Sequence, residues 1–97
     1  MATHIKADGT KQTVTPANGH EFTLEEIRGY IGGYLEGISL TTSLSIYLDE
    51  EGRLKNKPYN EVATHELWKY RNDHRISRTT LVGDVLIAST RETGDEE

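Results

Sequence analysis

Residues 22–38 read FTLEEIRGYIGGYLEGI, and how far a helix runs through them decides the fold. Thr23 and Glu26 make a T-x-x-E capping box, with Phe22 placed before the cap to pack on Ile27. Leu24, Ile27, Ile31, Tyr34, Leu35 and Ile38 then recur at helical spacing, which predicts one amphipathic helix that Gly37 stops. Gly29, Gly32 and Gly33 fall inside that helix, where each costs roughly 0.5–1 kcal/mol relative to alanine. They line its outer side, opposite the apolar stripe, together with Glu25, Glu26 and Glu36. Such a smooth face is open to three uses: a bend or second helix of the same chain, an oligomer interface through Gly29, Gly32, Gly33 and Glu36, or direct contact with a ligand.

Upstream, residues 4–7 (HIKA) and 11–15 (KQTVT) flank Asp8-Gly9, a hairpin signal, and residues 16–19 (PANG) read as a turn. Downstream, residues 40–42 and 44–48 read as strands. In the second, Leu44, Ile46 and Leu48 alternate with Ser45 and Tyr47, the pattern of a half-buried strand. Asp49-Glu50-Glu51-Gly52 turns the chain, and residues 53–59 (RLKNKPY) are a polar connection. Asn60 caps a second helix over residues 61–71, and residues 81–88 (LVGDVLIA) form a last strand interrupted at Gly83-Asp84. The expected class is α+β, one small domain over residues 1–90 in the order β-β-α-β-β-α-β. Its sheet is largely antiparallel, with the helices on one face. The tail, residues 91–97 (RETGDEE), has no apolar pattern and is expected to be disordered.

Composition narrows the function. The chain has 97 residues, a net charge of −5 and no cysteine, which excludes disulfides, thiolate zinc sites and thiol nucleophiles. The acidic tail carries −3 of that charge, so the body is only mildly acidic. It lacks the broad basic field that nucleic-acid binding needs. No apolar run reaches membrane-spanning length and no signal-peptide pattern opens the chain, so it reads as cytoplasmic. Residues 69–78 (KYRNDHRISR) concentrate four positive charges against one negative, and Arg71, Arg75 and Arg78 have the donor geometry to grip a phosphate. The same residues also suit a solvated helix end. Tyr and Trp outnumber the single Phe, and such rings can stack a base. His65 and His74 are the candidates for acid–base work, but no zinc-binding spacing and no complete catalytic set is present. No cofactor or metal is expected.

The words LEEIRGYIGGYLEG (24–37), LDEEGRL (48–54), PYNEVAT (58–64) and GDVLI (83–87) cover about two-thirds of the chain. With them the chain resembles the family called domain of unknown function 3846, found in bacteriophages and bacterial mobile elements. That resemblance implies an anti-defence role: a homo-oligomeric sponge that sequesters a nucleotide-derived immune signal, such as a cyclic ADP-ribose-like molecule or a cyclic dinucleotide, without cleaving it. The residues assigned to the ligand are Tyr34, Asn60, Thr64, Trp68, Arg71, Arg75 and Arg78. One alternative is an acidic protein–protein inhibitor or nucleic-acid mimic working through Glu25, Glu26, Glu36, Asp49, Glu50, Glu51 and the tail. Another is an enzyme that cleaves such a signal with His65 or His74.

Overall fold

The computed structural model describes residues 2–70 and 80–89. Its elements follow the expected order: β1 (Ala2–Ile5), β2 (Lys11–Val14), α1 (Leu24–Ile31), β3 (Leu35–Ser39), β4 (Leu44–Asp49), α2 (Glu61–Tyr70) and β5 (Val85–Ser89). The five strands form one sheet in the order β2-β1-β5-β4-β3, and every pairing is antiparallel. The acidic tail and the segment with Arg71, Arg75, Arg78 and His74 lie outside the described residues.

The order matches, but the third strand is a different piece of chain. The capping box forms as read: Thr23 accepts from the Glu26 amide, and Glu26 accepts from the Thr23 amide. The helix then ends early. Gly32 turns left-handed at φ 77° and its N–H caps back onto Arg28 O at 2.7 Å. A glycine adopts this conformation without the penalty a side chain would bring. Beyond it, Leu35 to Ser39 pair with β4, with Gly37 opposite Tyr47 and Ile38 opposite Ile46. The apolar spacing of residues 34–38 suits a helix, but the glycine pair ends the helix and the free edge of β4 offers a strand partner. A Cβ on Gly37 would sit 3.2 Å from the Tyr47 ring, so the missing side chain is the space that ring occupies. Residues 40–42, read as a strand, are instead the β3–β4 turn, with the Leu40 and Thr41 amides both on Leu44 O. The expected glycine face of one long helix therefore does not form.

The helices also lie on opposite faces of the sheet rather than on one. Ile5, Ile46, Leu48 and Val85 join Ala63 and Leu67 of α2 in one cluster. Tyr47, Leu86 and Ala88 join Phe22, Ile27 and Ile31 on the α1 side. Adjacent residues of β4 and β5 are buried on both faces, the pattern of strands covered twice. Tyr47 and Ser45 read as the polar side of β4, yet both are buried.

Asn60 fastens the α2 side. Its Oδ1 accepts from the Ala63 amide, and its Nδ2 donates to Ile5 O at 3.1 Å and Gly83 O at 2.8 Å. Thr64 Oγ1 donates to Asn60 O and accepts from the Leu81 amide. Together they join the start of α2 to the end of β1 and the approach to β5. Asn60→Ala strands two buried carbonyls and one buried amide. It should cost about 3 kcal/mol in urea denaturation, whereas Thr13→Ala on the exposed edge of β2 should stay within about 0.5 kcal/mol. Equal costs would contradict this role for Asn60.

Candidate functional site

Asp49 ends β4 at a position whose parity points it to the α1 face. Its side chain is 1% exposed. The chain then folds into residues 50–59, a run of tight turns closed by bonds from Gly52 N to Asp49 O and from Lys57 N to Gly52 O, with Asn56 at φ 55°. This return brings two lysines to one carboxylate oxygen: Lys57 Nζ lies 2.7 Å and Lys55 Nζ 2.9 Å from Asp49 Oδ2. The other oxygen, Oδ1, accepts from the Glu51 amide at 2.9 Å. Lys57 also donates to Ile31 O at 2.9 Å and Gly32 O at 3.2 Å. It thereby places its charge on the C-terminal carbonyls of α1, where the helix dipole favours a cation. Gly33 leaves room for the carboxylate, since a Cβ there would fall 2.4 Å from Asp49 Cγ.

Burial acts to raise the Asp49 pKa, but the bonds from Lys57, Lys55 and the Glu51 amide and the charge of Lys57 outweigh it and hold the pKa at about 2. The same bond to Asp49 raises the pKa of Lys55.

The node shapes the surface above it. Arg28, in the last turn of α1, lies with Cζ 4.5 Å from the centroid of the Tyr34 ring. Tyr34 is 57% exposed and its carbonyl accepts from the Glu50 amide. Arg28, Gly33, Tyr34 and Lys55 line a cleft of about 200 Å³. A second cleft, of about 290 Å³, opens beside the same helix end between residues 29–32 and Lys57, Pro58, Gly83 and Asp84.

Among the described residues expected to meet a ligand, Tyr34 lines the first of these clefts. Asn60 and Thr64 are both 0% exposed and held in the bonds described above, so they are structural and do not face ribose hydroxyls. Trp68 is half-buried against the α2-side core, with its ring 5.4 Å from that of His65. The residues assigned to an oligomer interface separate: Gly29 is exposed on α1, Gly32 caps it, Gly33 packs on Asp49, and Glu36 lies on the edge strand β3. The acids do not form one surface either, because Asp49 is buried and Glu26 is spent on the amides of Thr23 and Ala17. His65 is exposed. Among the described residues the buried histidine is His4, whose Nε2 donates to Tyr30 O at 2.9 Å. Among the described residues no three His, Asp or Glu side chains gather as a metal site, and no helix is long and apolar enough to cross a membrane.

Arg28, Lys55 and Lys57 were not singled out by sequence reasoning, and Asp49 was read only as one acid of an exposed turn. A signal was present: an acid at an inward position of an apolar strand needs a buried partner, and Lys-x-Lys follows it closely.

The family model described as domain of unknown function, DUF3846, matches residues 3–97, and the chain belongs to that family. No curated protein and no solved structure matches the chain significantly.

The ordinary aspartate value is 3.8 and the folded value about 2, so ionised Asp49 contributes about 2 kcal/mol at neutral pH. That contribution is complete above the ordinary value and is lost as pH falls through about 2. In chemical denaturation, the stability lead of the native protein over Asp49→Asn should shrink by about 2 kcal/mol between about pH 6 and pH 2. The other carboxylates titrate alike in both proteins and cancel. A lead that does not change with pH would show that the ion pairs do not hold Asp49.

Proposed function

We propose that this domain is a non-enzymatic binder of a small, flat, anionic ligand of the nucleotide-derived class, captured in the cleft of Arg28, Tyr34 and Lys55. One observation carries the reading: two cations and an exposed aromatic ring line that cleft, and among the described residues no carboxylate lines it. A ring of this kind stacks bases whatever their sequence, and guanidinium and ammonium groups suit phosphate. The lining is two cations and a phenol, and among the described residues no imidazole or carboxylate, the groups that most readily take up a proton near neutral pH, stands with them, which supports capture without turnover. Glu50 and Glu51 lie close in the chain and limit the field, so the recognition is local rather than a broad attraction. Sequestering a nucleotide-derived signal, cyclic ADP-ribose-like or a cyclic dinucleotide, is the role that suits such a binder.

The test is a titration with adenosine 5′-monophosphate, followed by the NMR shifts of the Gly33 amide and the Tyr34 ring. Saturable shifts are expected, with affinity falling about tenfold in Tyr34→Ala, and the nucleotide should be recovered intact after the protein is denatured. Absence of shifts, or equal binding by Tyr34→Ala, would reject the cleft. A hydrolysed nucleotide would reject the non-enzymatic reading.

A further inference from the structure

Resting on that binding reading, and narrowing it from cyclic dinucleotides, whose phosphates are isolated diesters, to pyrophosphate-bearing signals of the cyclic ADP-ribose kind, we infer that the cleft selects a terminal phosphate or a pyrophosphate over an isolated phosphodiester, and that Lys55 is the residue that makes the choice, by leaving Asp49 for the ligand.

The two lysines on Asp49 are not equivalent. Both ammonium groups meet the same oxygen, Oδ2. Lys57 is fixed, because its remaining donors are taken by Ile31 O and Gly32 O and its side chain is only 20% exposed. Lys55 has Asp49 as its one hydrogen-bonding partner among the described residues, is 41% exposed, and lines the cleft that Lys57 does not reach. If Lys55 swings away, Asp49 still keeps Lys57 at 2.7 Å and the Glu51 amide at 2.9 Å, so its burial remains compensated. Only the Lys55 end of this pair reaches solvent, and the carboxylate keeps two partners without it, so Lys55 is the cation given up at the lower cost. Two cations on one carboxylate therefore leave one of them transferable.

What draws Lys55 away must outbid a carboxylate of charge −1. A phosphodiester also carries −1 and offers the ammonium group nothing more. A phosphate monoester carries about −1.5 to −2 near neutral pH and has three acceptor oxygens. A pyrophosphate places two negative charges side by side. Either can occupy Lys55 while turning a second oxygen to Arg28, whose guanidinium carries donors in a fixed fork. Tyr34 then contributes to ring binding in all three cases, and Lys55 contributes to the difference between them.

The experiment compares adenosine 5′-monophosphate, cyclic 3′,5′-adenosine monophosphate and adenosine, each titrated into the full chain and read at the Gly33 amide and the Tyr34 ring. The monophosphate should bind about tenfold more tightly than the cyclic diester. Lys55→Met should remove that preference, bringing the monophosphate down to the affinity of the cyclic diester. Asp49→Asn, which removes the competing carboxylate, should tighten monophosphate binding, whereas a Lys55 that merely held the loop would lose affinity when its partner is lost. If Asp49→Asn does not fold, the Lys55→Met comparison alone decides. Equal binding of the monophosphate and the diester, or a preference that survives Lys55→Met, overturns the inference but leaves the binding reading standing, provided Tyr34→Ala still weakens all three compounds. If none of the three shifts either signal, the binding reading falls and the inference falls with it.

Discussion

A carboxylate buried at the end of a central strand is the constraint on which the α1 side of this molecule depends. Asp49 is almost wholly enclosed, and an ion there is tolerated only with partners at hand. The partners come from the connection that follows, so residues 50–59 must turn back on β4 and bring Lys55 and Lys57 to one oxygen. Lys57 passes the constraint on by holding the last carbonyls of α1, and Gly33 keeps the approach clear. Helix end, loop and strand end thus meet at one charged point. The surface over that point carries Arg28, Tyr34 and Lys55 because their backbones are fixed there.

The two sides of the sheet are secured differently. On the α2 side, neutral amide and hydroxyl groups of Asn60 and Thr64 satisfy buried backbone atoms, an arrangement that does not vary with pH in the ordinary range. On the α1 side, full charges carry the load. Stability of the first side follows from hydrogen-bond satisfaction. The second also responds to acid, because its contribution depends on an ionised carboxylate.

Much of the fold was legible in the residues. Asp8-Gly9 placed the first hairpin, Thr23 and Glu26 placed the start of α1, and Asn60 placed the start of α2. The miss at residues 32–39 has a local cause. Tyr34, Leu35 and Ile38 fit a helical stripe, yet Leu35 and Ile38 serve equally well on opposite faces of a strand, and spacing alone cannot choose. The glycine pair was the deciding signal, and it was assigned to an outer face. The placement of both helices on one face failed because Ser45 and Tyr47 look like a solvent side, while both are buried and Tyr47 packs with Ile27 and Ile31 of α1. The site was the least legible part. Asp49 stands in a run, DEEG, that reads as any exposed turn, and its lysines come from a loop whose path sequence does not reveal. The cations singled out instead, Arg71, Arg75 and Arg78, lie outside the described residues.

The most direct examination of this charged point is hydrogen exchange in Lys57→Met. Loss of that ammonium group should release the Gly32 amide and the amides of residues 50–57 together, while the strand amides of β4 and β5 keep their protection. Uniform loss of protection across the sheet, or no change at Gly32, would contradict the view that Lys57 and Asp49 tie the end of α1 to the loop.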